Sequence, residues 1–170
     1  MLKEIKERRS VREYSDKEVE KEKIELIIRA AMQAPSARNQ RPWHFLVLTK
    51  EKNINEITQI SEKIDTMKFI KDASFVIIFM ADTKKIPVKV MFDQDMSSAV
   101  TLSLIQATKL QIGSCWCGVY PRKDRIEIIR DVCNIKEYEP FALVAYGYPK
   151  DEKSLYFKDR FDEERIHYLG

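Results

Sequence analysis

Residues 34–45 read A-P-S-A-R-N-Q-R-P-W-H-F, a turn-rich stretch that joins a helix to a strand. Just upstream, Ile24, Ile27, Ile28 and Ala31 recur at i, i+3, i+4, i+7, the spacing of one helix face. That spacing predicts a helix over about 21–33. Pro35 closes it, because the residue before a proline is pushed out of the helical region. Downstream, 44–49 is rich in aliphatic side chains and reads as a strand. Pro35 and Pro42 stiffen the backbone around Ser36, Asn39 and Gln40. Trp43 either packs beneath this loop or sits in the core as part of a plain helix-to-strand connection.

Outward from this stretch the chain alternates helices and strands. On the N-terminal side, 2–8 reads as a short helix and 11–14 as extended, while Ser15-x-x-Glu18 has the form of a capping box. On the C-terminal side, 51–62 is a polar helix, and 74–82 is an almost unbroken apolar run, the mark of a central strand buried on both faces. A short connection, 83–92, leads to the longest helix, 93–111, with Gly113 as a plausible stop. A strand at 114–119, a helix at 122–133 and a strand at 141–148 follow. Residues 151–170 form a charged tail with few aliphatics, which cannot build a core of its own and is expected to lie on a neighbouring surface, that of a second subunit included. Nothing repeats and no linker appears, so 1–170 reads as a single domain, α/β or α+β, around one central sheet.

Composition narrows the function classes. The chain has 170 residues, 44% hydrophobic and 34% charged, which suits a soluble globular protein with a real core. The apolar run 75–81 is far too short to cross a bilayer, and no secretion signal opens the chain, so a cytoplasmic protein without a membrane is expected. A net charge of +3 is slight for a nucleic-acid binder, so no nucleic-acid partner is expected. Cys115, Cys117 and Cys133 form no Cys-x-x-Cys, and His44 and His167 are the sole imidazoles, so neither a disulfide framework nor a metal site is expected. The cysteines read as reduced and partly buried; the alternative is a redox-sensitive Cys115 or Cys117 near a cofactor.

The arginines carry the local chemistry. Arg8, Arg9, Ser10 and Arg12 place three guanidiniums and a hydroxyl within five residues, a set suited to a phosphate dianion. Adjacent residues diverge on a helix, so Arg8 and Arg9 do different jobs, such as phosphate and ring. The same spacing also describes a solvated basic helix end. The amide-bearing loop at 35–41 suits the edge of a flat heteroaromatic ring. One ligand carrying both parts is a phosphorylated flavin.

The ordered motifs resemble the nitroreductase superfamily. They are Arg8-Arg9-Ser10-x-Arg12, Ala34-Pro35-Ser36-Ala37-x-Asn39-x-x-Pro42-Trp43-x-Phe45 and Asp95-x-x-Ser98-Ala99. Gly113-Ser114-Cys115-Trp116-x-Gly118, Gly147-Tyr148-Pro149, Lys158-x-Arg160 and Arg165-Ile166-His167 follow in order. The resemblance spans nearly the whole chain. It implies an α+β fold with a mixed, mostly antiparallel central sheet flanked by helices, in an intertwined homodimer with FMN at the subunit interface. It also implies site roles. Arg8, Arg9, Ser10 and Arg12 would bind phosphate, ribityl chain and ring edge, with Lys158 and Arg160 returning to the phosphate from an arm at about 151–170. Pro35, Ser36, Ala37 and Asn39, with Arg41 beside them, would come from the partner. Cys115, Trp116 and Gly118 would lie on the other side of the ring, near N5.

The implied reaction is ping-pong. NADH or NADPH would pass a hydride to the flavin, and a small electron-poor acceptor, a nitroaromatic or quinone, would then be reduced. No residue is assigned as a general acid, since the sequence offers neither paired carboxylates nor a His dyad. The alternatives on the same fold are enone reduction, dehalogenation, flavin breakdown, or flavin sensing and storage. Two departures stand out: Arg41 replaces the Gln that many members carry before Pro-Trp, and Thr101 replaces an Asn. A cation at 41 would favour an anionic substrate or stabilise charge on the reduced flavin. The short 83–92 connection implies a compact member with an open site.

Overall fold

Phe75–Ala81 (β2) is apolar at every position, and every one of its residues is buried. Such a strand needs a neighbour on each edge and cover on each face. In the computed structural model, which describes residues 1–151, 157 and 159–169, it has all four. Trp43–Thr49 (β1) pairs with one edge and Glu139–Gly147 (β4) with the other, and Gly113–Gly118 (β3) pairs with the far edge of β4. The order is β1-β2-β4-β3, and every pairing is antiparallel. The expected mixed character is reduced to a single parallel bridge, between Ser10 and Ser114 at the β3 edge.

The helices divide between the two faces. Lys21–Met32 (α2) and Phe92–Lys109 (α4) cover the face of Phe75, Ile77, Phe79, Val144 and Tyr146. Phe75 and Tyr146 stack with centroids 4.8 Å apart, and the Tyr146 hydroxyl meets Ser103 of α4 at 2.8 Å. Burial pushes the Tyr146 phenol up and keeps it neutral. The opposite face carries Val76, Ile78, Leu143 and Ala145. Lys50–Lys63 (α3), Lys123–Cys133 (α5) and a 3₁₀ segment at Asp65–Asp72 cover it. Each large apolar side chain so buried contributes about 1.5–3 kcal/mol. The first helix, Lys3–Glu7 (α1), has no buried residue and leads directly into the arginine cluster.

Two local expectations are corrected. Ser15 and Glu18 form no capping box: α2 starts at Lys21 with Glu20 as its cap and no side-chain cap bond. The Ser15 N–H instead donates to the Tyr148 carbonyl at 2.8 Å, which ties this segment to the end of the sheet. Gly113 does not stop α4 either. The left-handed residue past that helix is Gln111, with φ 61°, and Gly113 already belongs to β3.

Candidate functional site

Gly113 and Gly147 face each other across β3 and β4. A Cβ on Gly113 would lie 2.9 Å from three Val11 atoms, and one on Gly147 would lie 2.9 Å from the Tyr14 ring. These close approaches seat the N-terminal segment. The Val11 N–H donates to the Ser114 carbonyl at 2.9 Å, and the buried Tyr14 hydroxyl donates to the Val11 carbonyl at 2.7 Å. Gly113→Ala is therefore expected to destabilise the protein by about 1–3 kcal/mol, the usual cost of overpacking. Urea unfolding checks it, and an unchanged midpoint would show that the segment is not held there.

Seated this way, Arg8 and Ser10 turn toward α4. With Thr101 and Leu104 of that helix, and Ser114 and Trp116 of β3, they line a cleft of about 320 Å³. One wall offers a guanidinium and hydroxyls. The other offers the apolar bodies of Leu104 and Trp116. That donor set fits a phosphate and polyol joined to a flat ring.

The other two arginines of the cluster are elsewhere. Arg9 donates to the Lys6 and Arg8 carbonyls at 2.7 and 2.6 Å and lines a separate cleft with Lys3 and Thr108. The Arg12 guanidinium lies 5.7 Å from the centre of the Phe69 ring, on the side of the second core. Strand alternation likewise divides the 115–118 motif. Trp116 pairs opposite Val144 and faces the cleft, whereas Cys115 pairs opposite Ala145 and is buried on the other face with Cys117. The neighbouring Cys117 thiol lowers the Cys115 pKa, helped by Arg12 and Ser10, while Cys115 and burial raise that of Cys117. Gly118 is exposed, and its carbonyl accepts from Arg125 at 2.6 Å. His44 stacks on Tyr138 at 4.0 Å, as a strand residue would.

The proline loop is a second construction. The buried Asp95 carboxylate, in the first turn of α4, accepts the Ala37 N–H at 2.8 Å and the Gln40 side-chain amide at 2.6 Å. Gln40 also pairs with the Val88 backbone, accepting its N–H at 2.9 Å and donating to its carbonyl at 3.1 Å. The Arg41 N–H closes the loop on Ser36 Oγ at 3.0 Å. So held, Arg38, Asn39 and Arg41 keep φ of 49°, 54° and 45°. Left-handed backbone costs a non-glycine residue roughly 1–2 kcal/mol. Sequence reasoning missed Gln40 as the pin, and the motif's Asp95 was its visible partner. Trp43 is buried in the core beneath.

Within one chain the loop and the cleft do not meet. Asp95 precedes Thr101 by six helical positions, about 9 Å along the axis at 1.5 Å per residue. Arg160 is exposed on the tail and is not among the residues that line the cleft. Lys158 lies outside the described residues.

The family model described as the Nitroreductase family matches residues 5–148, which hold both constructions. The chain belongs to the nitroreductase family. Over 170 residues it is 44% identical to an Archaeoglobus fulgidus protein named "Putative NADH dehydrogenase/NAD(P)H nitroreductase", across 98% of this chain and 95% of that one. Its fold matches the solved "FMN-dependent Nitroreductase" of Clostridium difficile with a TM-score of 0.87 at 31% identity, across 100% of this chain and 99% of that one. As a nitroreductase-family chain it has the α+β fold of its relatives, and among the described residues no helix is long and apolar enough to cross a membrane.

Proposed function

We propose that this nitroreductase-family chain is an FMN-dependent oxidoreductase that uses NADH or NADPH to reduce nitroaromatics, quinones or similar electron-poor acceptors. The cleft of Arg8, Ser10, Ser114 and Trp116 carries the reading, because it sets charged and hydroxyl donors beside an apolar wall. FMN, when bound, supplies hydride chemistry, and no side chain needs to act as a general acid. The chain's own work is to hold and orient: Arg8 and Ser10 bind the phosphate, and Trp116 and Leu104 support the ring. The relatives' names, one FMN-dependent and one NAD(P)H-linked, support the cofactor and the donor.

In this reading the active unit is a homodimer. Loop and cleft, apart in one chain, meet when each subunit lends Pro35, Ser36, Ala37 and Asn39 to its partner's flavin. Support comes from an open groove of about 590 Å³ between α2 and α4, lined by Leu26, Met32, Leu102 and Ile105. Further support comes from the tail, where Phe161 is 70% exposed and Tyr168 90%. Apolar side chains so displayed suit a strap across a second subunit. The unpaired thiols accord with a cytoplasmic location. The test is the visible spectrum of the purified protein. A flavin spectrum that bleaches anaerobically with NADH or NADPH and returns with a nitroaromatic is expected. A colourless protein that takes up no FMN would sink the proposal.

A further inference from the structure

We infer that Arg41, with Arg38 beside it, recognises a terminal oxyanion on the redox substrate, either a carboxylate on the acceptor or the extra phosphate of NADPH. The inference rests on the reading that the loop faces the partner's flavin. Arg41 is held at φ 45° directly before Pro42, a position where backbone conformation is already restricted. Strain of this kind persists where the surroundings over-determine it. Here the Asp95 carboxylate, the Gln40 amide and Ser36 Oγ do so: Asp95 takes the Ala37 N–H, Gln40 reaches Asp95 and the Val88 backbone, and Ser36 takes the Arg41 N–H. The arginine side chains are the outward product of that construction.

Both guanidiniums are exposed, and neither forms an ion pair among the described residues. The acids on the adjoining segments accept hydrogen bonds, and Glu137 lies within electrostatic reach of Lys85. Asp82 is paired with Lys85 at 3.3 Å and accepts the Lys84 and Lys85 N–H groups. Asp95 is used by the loop, and Asp93 accepts the N–H of Gln94. The Gln40–Val88 pairing draws 83–91 against the loop, and this segment adds exposed Lys84 and Lys89. The rim is cationic in a chain whose whole net charge is only +3. A guanidinium's fixed fork suits the planar or tetrahedral face of an oxyanion better than an ammonium does.

The experiment compares substrates that differ in one charge. With NADH as donor, kcat/KM is measured for 4-nitrobenzoate and for the neutral 4-nitrobenzamide. With 4-nitrobenzamide as acceptor, NADPH is compared with NADH. The anionic member is expected to be favoured in one arm. Its ratio to the neutral or less charged member should fall about tenfold in Arg41→Gln and recover partly in Arg41→Lys. The arm that responds names the source of the oxyanion. A binding readout accompanies the kinetics: perturbation of the visible spectrum by the favoured substrate or a non-reacting analogue should need about tenfold more ligand in Arg41→Gln. A yellow protein whose ratios are unchanged in both arms overturns this inference alone. A protein that takes up no FMN overturns it together with the proposed function.

Discussion

Replacing Arg8 by alanine is expected to weaken FMN binding by about ten- to a hundredfold. Arg8 is the arginine of the N-terminal cluster that lines the cleft with Ser10, Ser114 and Trp116. A hydrogen bond to a charged group contributes about 1.5–3 kcal/mol, and each 1.4 kcal/mol is tenfold in affinity. The loss should be larger at low ionic strength, where a guanidinium–phosphate contact is less screened. Fluorescence titration of apoprotein with FMN measures it. Arg122→Ala is the control, since Arg122 pairs with Asp124 at the start of α5. Equal affinity in wild type and Arg8→Ala would remove Arg8 from the site.

Asp95→Asn is expected to cost about 2–3 kcal/mol of stability and to loosen the proline loop. The substitution keeps the shape and removes the charge that two donors share. Gln40 cannot adapt by turning its amide over. Its oxygen is needed by the Val88 N–H and its nitrogen by the Val88 carbonyl, so the nitrogen must also face position 95. An asparagine nitrogen there would oppose a second donor in a buried place, and unmet buried donors cost about 1–3 kcal/mol each. Urea unfolding reads the stability. Amide exchange at Ala37 reads the loop and should quicken well beyond the global effect. A loop that exchanges as slowly as in wild type would show that Asp95 does not hold it.

Much of this architecture is legible in the residues, and the exceptions have physical causes. The run at 74–82 announces a two-faced central strand because no other place can bury seven apolar residues in a row. The helical face at Ile24, Ile27, Ile28 and Ala31 is equally plain, and Ile27 and Ala31 are its buried pair. The 3₁₀ segment at Asp65–Asp72 escapes notice because its two buried residues, Met67 and Ile70, are three apart among charged neighbours, too few to define a period. Ser15 misleads because a hydroxyl three residues before a glutamate is common, and what decides is where the backbone N–H goes. The arginine cluster reads as one site since spacing shows proximity and not direction. The β-like backbone after α1 sends Arg8, Arg9 and Arg12 into three surroundings. Gln40 is invisible because its partner, Val88, contributes only main-chain groups, which no sequence pattern marks.

The glycine pair under Val11 and Tyr14 also orders events in time. The arginine segment is synthesised well before its seat, which is made by residues more than a hundred positions later. Gly113 and Gly147 become neighbours only when β3 has paired with β4, and no local contact substitutes for that pairing. Contacts so distant in sequence carry the entropic cost of closing the long loop between them. The cleft therefore exists only once that pairing has formed. A ligand that needs it binds the finished sheet and not its precursors, and its binding energy adds to stability by mass action.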